Sequence, residues 1–138
     1  MTVLVAYDGS ETARAAAEYA VTEHSDDEVV LVRVVEVAGG ATGAGFELLR
    51  DRLRERRAEV ASTAAEELDD LLDSTDTEVS LETVVGDPAE ELLAYAAEHD
   101  IDHIVVGSSG RGGVSRVLLG SVAETVARRA AVPVTIIR

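Results

Sequence analysis

Ile104-Val105-Val106-Gly107-Ser108-Ser109-Gly110-Arg111-Gly112-Gly113-Val114-Ser115-Arg116-Val117-Leu118-Leu119-Gly120-Ser121 passes from a β-branched apolar run, through five glycines, to a Ser-x-x-Glu helix start at Ser121 and Glu124. A short continuous apolar run bounded by turn residues reads as a strand buried on both faces, the kind that parallel sheets use. Ser121 with Glu124 reads as a capping box ahead of a helix over Val122 to Ala130. Strand, glycine turn and helix in that order make one βα unit of an open α/β sheet.

Outward from this unit the same alternation repeats. The fourth strand is expected over Ile101 to Gly107, and Pro133 opens a last short strand, Val134 to Ile137, whose proline favours a sheet edge. Upstream, Asp87-Pro88-Ala89-Glu90 is a helix start: Asp87 as N-cap, Pro88 at the first helical position where no amide is needed, and Glu90 closing a capping box. Glu78 to Val85 alternates as a third strand. Phe46 to about Asp73 fits one long helix, with Leu49, Leu53, Val60, Ala64, Leu68 and Leu71 on a single face. Before it, residues 38–45 carry four glycines and no periodicity, which predicts a mobile connection. Val3-Leu4-Val5-Ala6 stops at Asp8-Gly9 as a first strand, Ser10 can cap a helix rich in alanine, and a second strand is expected from Glu28 to Val37. The order βαβαβαβαβ implies right-handed crossovers and a mostly parallel sheet of five strands with helices on both faces. A chain of 138 residues, 46% of them hydrophobic, suffices for one such domain spanning 1–138 and leaves no room for a second.

Composition narrows the function. The net charge is −15, from 27 acidic and 12 basic residues, and all of the basic ones are arginine. That field repels nucleic acid and anionic membranes, so neither is an expected partner. Strong acidity without lysine suits concentrated salt, where screening weakens self-repulsion. The arginines at 50, 52, 54, 56 and 57 alternate with Asp51, Glu55 and Glu59 and read as an ion-paired, solvated helix face. No stretch approaches the roughly 20 apolar residues that cross a bilayer, and the opening residues carry no basic leader, so a cytoplasmic location is expected. The absence of cysteine excludes disulfides and thiolate chemistry.

In an open α/β sheet, ligands settle beyond the carboxyl ends of the strands, where strand order reverses. Two segments end strands there: Ala6-Tyr7-Asp8-Gly9-Ser10 and the glycine segment. Glycines let successive amides turn toward one anion, and a helix N-terminus adds unpaired donors and partial positive charge. The segment over 107–121 is therefore a phosphate cradle in outline, although it lacks the Gly-Lys-Ser/Thr ending of a P-loop. Arg111 and Arg116 are the nearby cations that could offset phosphate charge. Asp8 beside Gly9 and Ser10 fits an Asx turn, and at a strand-end crevice it can also accept ribose hydroxyls or help hold Mg²⁺.

Gly107-x2-Gly110-x9-Gly120-Ser121 resembles the ATP-binding signature of the universal stress protein family, and Val5-Ala6-Tyr7-Asp8-Gly9-Ser10 resembles that family's first strand and turn. The likeness spans Thr2 to Ile137 and points toward the acidic members of salt-loving archaea. It implies a Rossmann-like sheet of strand order 3-2-1-4-5. It also implies an adenine pocket at Ala6 and Val34, with Tyr7 beside it and Asp8 near ribose or phosphates. Gly107, Gly110, Arg111, Gly120, Ser121 and Val122 would hold the rest of the nucleotide, expected to be ATP with Mg²⁺ carried on its phosphates. Arg33 stands where the family often has histidine, and Ala6 where it often has proline. The resemblance further implies a homodimer through the edge strand 134–137.

Catalysis is not signalled. His24, His99 and His103 have no metal spacing, Ser108, Ser109 and Ser115 have no visible base, and no lysine stands by for phosphoryl transfer. The expectation is a nucleotide-binding regulatory protein of stress physiology, with weak hydrolysis at most. The alternatives are a nucleotide-free dimeric adaptor of the same fold and, with less support, a nucleotidyl-transfer enzyme.

Overall fold

The strands are rich in β-branched residues, continuous and buried in β1, β2 and β4 and alternating with polar ones in β3. In the computed structural model, which describes residues 1–36, 44–108 and 119–138 (backbone only for 44–50), one or two helices separate each strand from the next. They are β1 (Thr2–Ala6), α1 (Glu11–Glu23), β2 (Glu28–Val35), α2 (Ala44–Glu67), α3 (Asp69–Ser74), β3 (Glu78–Val85), α4 (Pro88–Glu98), β4 (His103–Gly107), α5 (Ser121–Arg129) and β5 (Val134–Ile137). The five strands form one sheet in the order β3-β2-β1-β4-β5. Every pairing is parallel, with Val3 opposite both Val29 and His103, and Val106 opposite Ile136.

Alternation along the strands divides the core in two. Val3 and Val5 of β1, Val29 and Leu31 of β2 and Val105 of β4 face Ala13, Ala16, Ala17 and Ala20 of α1, with Ala64 and Leu68 beside them. The small alanine face lets α1 lie close to the sheet. Leu4, Val30, Val32, Ile104 and Val106 point the other way, onto Ala89 and Leu92 of α4 and Ala123 and Val126 of α5.

Helix starts follow local chemistry, with two corrections. Ser10 caps α1 by accepting the Ala13 amide at 3.2 Å, and Asp87 caps α4 by accepting the Glu90 amide at 3.1 Å with Pro88 at the start. The Glu90 carboxylate, expected to fold back on that cap, instead pairs with Arg129 of α5 and ties α4 to α5. At α5 the N-cap is Gly120, and Ser121 is already the first helical residue, so its hydroxyl caps nothing. The reason lies in the preceding turn: Gly120 takes the extended conformation of a cap at φ −63°, ψ 157°, one residue earlier than the Ser-x-x-Glu pattern predicts.

The expected long helix is two. Leu68, fully buried, leaves helical geometry at φ −101°, ψ 3°, while its amide still bonds the Ala64 carbonyl at 3.1 Å. The bend keeps Leu71 and Leu72 packed on the α1-side core. α2 begins at Ala44, so the last two residues of the glycine stretch at 38–45 are helical and the stretch before them lies outside the described residues.

Candidate functional site

The carboxyl ends of the parallel strands all open to one end of the sheet, and β1 is the strand from which the chain order runs outward in both directions. Between the ends of β1, β2 and β4 lies a cavity of about 520 Å³, within the roughly 300–1,000 Å³ range of small-ligand sites. Its wall includes Ala6, Tyr7, Asp8, Val34, Gly107, Gly120, Ser121 and Val122. Eight residues singled out from sequence thus converge, although they come from β1, β2, β4 and α5. Gly110, Arg111 and Arg116 lie outside the described residues.

Each position has a local cause. β1 ends at Ala6, and the Tyr7 amide still donates to the Val32 carbonyl at 3.0 Å. The chain then turns at Gly9, whose φ of +83° suits glycine, while the Asp8 Oδ1 accepts the Ser10 amide at 2.9 Å. This Asx turn holds the half-buried carboxylate at the cavity wall. Tyr7 is buried and its hydroxyl donates to Glu67 Oε2 at 2.5 Å. Burial, reinforced by the Glu67 carboxylate, pushes its ionisation far above the ordinary tyrosine range, so the phenol stays protonated and serves as a tie to α2.

On the other side, Gly107 closes β4 directly against α1. A Cβ there would stand 2.5 Å from Thr12 Oγ1 and 2.9 Å from the Ala13 nitrogen, so the absent side chain is what lets the helix approach. The Ser108 amide donates to the Ile137 carbonyl at 2.7 Å, and the Gly120 amide donates to the Ser108 carbonyl at 2.6 Å. The two ends of the glycine segment therefore meet. The first amide bonded inside α5 is that of Glu124, to the Gly120 carbonyl at 3.0 Å, and Gly120 has no side chain with which to cap the turn. The first-turn amides of α5 and the positive end of its dipole are thus presented at the cavity without a side-chain acceptor.

The base of this cavity is apolar, with Val32, Val34, Val106 and Leu92, and its rim is charged, with Asp8, Glu36, Arg33 and Arg56. The residues that sequence reasoning missed are on this list. Arg56 reads from sequence as part of a solvated helix face, and Pro88 and Leu92 as helix start and helix core. Only the crossing of α2 and α4 over the strand ends brings them together. Among the described residues no three His, Asp or Glu side chains gather as a metal-ligand group.

A family model for the universal stress protein family matches residues 1–138. This chain belongs to the universal stress protein family. A universal stress protein of Methanocaldococcus jannaschii is 30% identical over 99% of this chain and 81% of its own length. Among solved structures, universal stress protein UspA of Lactobacillus plantarum superposes with a TM-score of 0.86 at 28% identity, covering 100% of this chain and 97% of that one. A universal stress protein in complex with cAMP superposes at 0.71 and 26% identity, over 100% of this chain and 96% of that one. The strand order 3-2-1-4-5 agrees with the arrangement that the family resemblance implies.

The histidines gather elsewhere. His24 ends α1 and His103 opens β4, with ring centroids 5.3 Å apart at the end of the sheet opposite the cavity. His99 stacks on Tyr95 at 3.8 Å, and its Nδ1 lies 3.1 Å from the Tyr95 carbonyl.

Proposed function

We propose that this universal stress protein binds an adenine nucleotide, ATP with Mg²⁺ on its phosphates, as a regulatory ligand in the stress response, with weak hydrolysis at most. The observation that carries the reading is the convergence of uncapped α5 amides, the Asp8 carboxylate and an apolar floor on one cavity. A helix N-terminus without a capping side chain favours an anion. Gly107, Gly120, Ser121 and Val122, with Gly110 and Arg111 from the intervening segment, would hold phosphates and ribose. Ala6 and Val34 would flank the base, and Asp8 would accept ribose hydroxyls or a water on Mg²⁺. The binding of cAMP by a structural relative supports a nucleotide of this class.

The sequence contains no lysine to stabilise phosphoryl transfer. The reading is therefore of a protein whose bound state is its output. Titration calorimetry with Mg-ATP, Mg-ADP and AMP tests it, beside a Gly120→Arg variant that fills the cradle. Saturable ATP binding abolished by the variant is expected; no heat from any adenine nucleotide, with folded and ligand-free protein, would favour a nucleotide-free adaptor.

We also read the charge of −15 without lysine as fitted to the cytoplasm of a cell living in concentrated salt. Melting temperature should rise steadily with KCl into the molar range. A melting temperature indifferent to KCl beyond physiological strength would remove this reading.

A further inference from the structure

At the end of the sheet opposite the cavity the fold sets two imidazoles side by side. His24 closes α1 and His103 opens β4, so their distance in sequence hides a pair that the strand order creates. The ring centroids are 5.3 Å apart and the ring planes are tilted by 52°. One nitrogen of each ring is already engaged: His24 Nδ1 lies 3.1 Å from Asp27 Oδ2, and His103 Nε2 lies 2.7 Å from Thr135 Oγ1. A carboxylate only accepts, so neutral His24 carries its proton on Nδ1 and its lone pair on Nε2. The Thr135 hydroxyl can accept from His103 Nε2 in the same way, which leaves the second lone pair on His103 Nδ1. Among the described residues every buried side-chain nitrogen or oxygen has a hydrogen-bond partner, so these two nitrogens, which have none, touch water.

Metal-binding histidines have this arrangement. A ligating imidazole gives its other N–H to a carboxylate or another acceptor, which fixes the tautomer and raises the basicity of the free nitrogen. Two imidazoles on one tetrahedral ion, with nitrogen–metal bonds of about 2.0–2.1 Å, hold their ring centroids roughly 5 Å apart, whereas opposite positions on one ion require roughly 6 Å. The observed 5.3 Å fits the tetrahedral value. Burial, with repulsion from His24, lowers the affinity of His103 for a proton and so leaves its lone pair available at neutral pH. The surrounding charge also favours a cation. Asp27, Glu28 and Asp102 stand at this end of the sheet, against one terminal amine 3.6 Å from Asp27.

We propose that His24 Nε2 and His103 Nδ1 bind a divalent transition ion, Zn²⁺ by its geometry, while Asp27 and Thr135 orient the two rings. Among the described residues no group of three His, Asp or Glu forms there, so water completes the coordination and the ion exchanges freely. Bound, it clips the end of α1 to the start of β4. Imidazole suits Zn²⁺ and not Mg²⁺, which takes oxygen ligands, so the site is chemically distinct from any Mg²⁺ carried on a nucleotide and stands apart from the nucleotide reading.

The test is calorimetric titration of Zn²⁺ into the full chain at neutral pH, with millimolar Mg²⁺ present to occupy loose carboxylate sites. The proteins are the wild type, His24→Gln, His103→Gln, Asp27→Asn and His99→Gln. His99, stacked on Tyr95, controls for an imidazole outside the pair. One saturable ion per chain is expected, abolished in His24→Gln and His103→Gln, weakened about tenfold or more in Asp27→Asn and unchanged in His99→Gln. Zn²⁺ should also raise the melting temperature of the wild type and leave that of His24→Gln where it was. Nitrogen NMR of the wild-type imidazoles needs no variant: shifts are expected at His24 Nε2 and His103 Nδ1 and none at His99. A wild type that takes up no Zn²⁺ beside Mg²⁺, undiminished binding in either His24→Gln or His103→Gln, or ring shifts confined to His99 overturns the proposal.

Discussion

His103 shows how a single side chain can be placed far from the ligand cavity and still govern a property of the whole. It stands at the start of β4, with Nε2 2.7 Å from Thr135 Oγ1 of β5 and the His24 ring on its other side. His24 Nδ1 lies 3.1 Å from Asp27 Oδ2, whose other oxygen is 3.6 Å from the chain's terminal amine, and the Tyr19 ring closes the group. Burial, with some repulsion from His24, pulls the His103 imidazole below its ordinary value. The unfolded chain therefore takes up a proton more readily, so stability is intact above about pH 6.5 and falls as the pH drops from there to the lower folded value. Thermal melts between pH 7.5 and 5 should show this loss in the wild type and a shallower one in His103→Gln, which can still bond Thr135. Equal slopes in the two proteins would assign the pH dependence to other groups. Sequence reading found no metal spacing among the histidines and went no further with His103, because its contacts with His24 and Thr135 depend on which strands become neighbours.

Among the elements, the contact between β4 and α1 is the tightest constraint on the site. Thr12 and Ala13 of α1 occupy the space that a side chain at Gly107 would need. Gly107→Ala should cost about 1–3 kcal/mol as an overpacked position, read as a lower urea midpoint with an unchanged slope. A midpoint equal to wild type would mean that α1 shifts without cost. The glycine is legible in the sequence as part of a phosphate loop, while its packing role is not, since the helix that fills its space lies some 95 residues earlier. The strand and helix order was legible except at the break at Leu68 between α2 and α3, because apolar runs and caps at Ser10 and Asp87 are local signals. Ser121 misled for the same reason: the pattern marks a helix start to within a residue, and only the backbone of Gly120 decides which residue is the cap.

At the scale of the whole molecule, β5 leaves one edge of the sheet with a half-buried Val134-Thr135-Ile136-Ile137 face and no further strand beside it among the described residues. Apolar edges of this kind are ordinarily covered, and a second copy pairing across a two-fold axis would cover both at once. We propose that a second copy pairs there, so that Ile136→Glu should leave only monomers in gel filtration with light scattering where the wild type gives dimers. A dimer that survives the change would place the interface elsewhere. The convergence of residues on the cavity was largely foreseeable from the strand ends, and the charged wall from β2 and α2 was not. Arg56 gives no local hint, since one exposed arginine on a charged helix looks like its neighbours until α2 crosses the sheet.

The bond from the Gly120 amide to the Ser108 carbonyl separates the architecture from the segment that it closes. With the Ser108 amide bonded in turn to the Ile137 carbonyl, the last residue of β5, the end of β4 and the cap of α5 are latched into one rigid corner, so the direction in which the first α5 amides aim is inherited from the sheet itself.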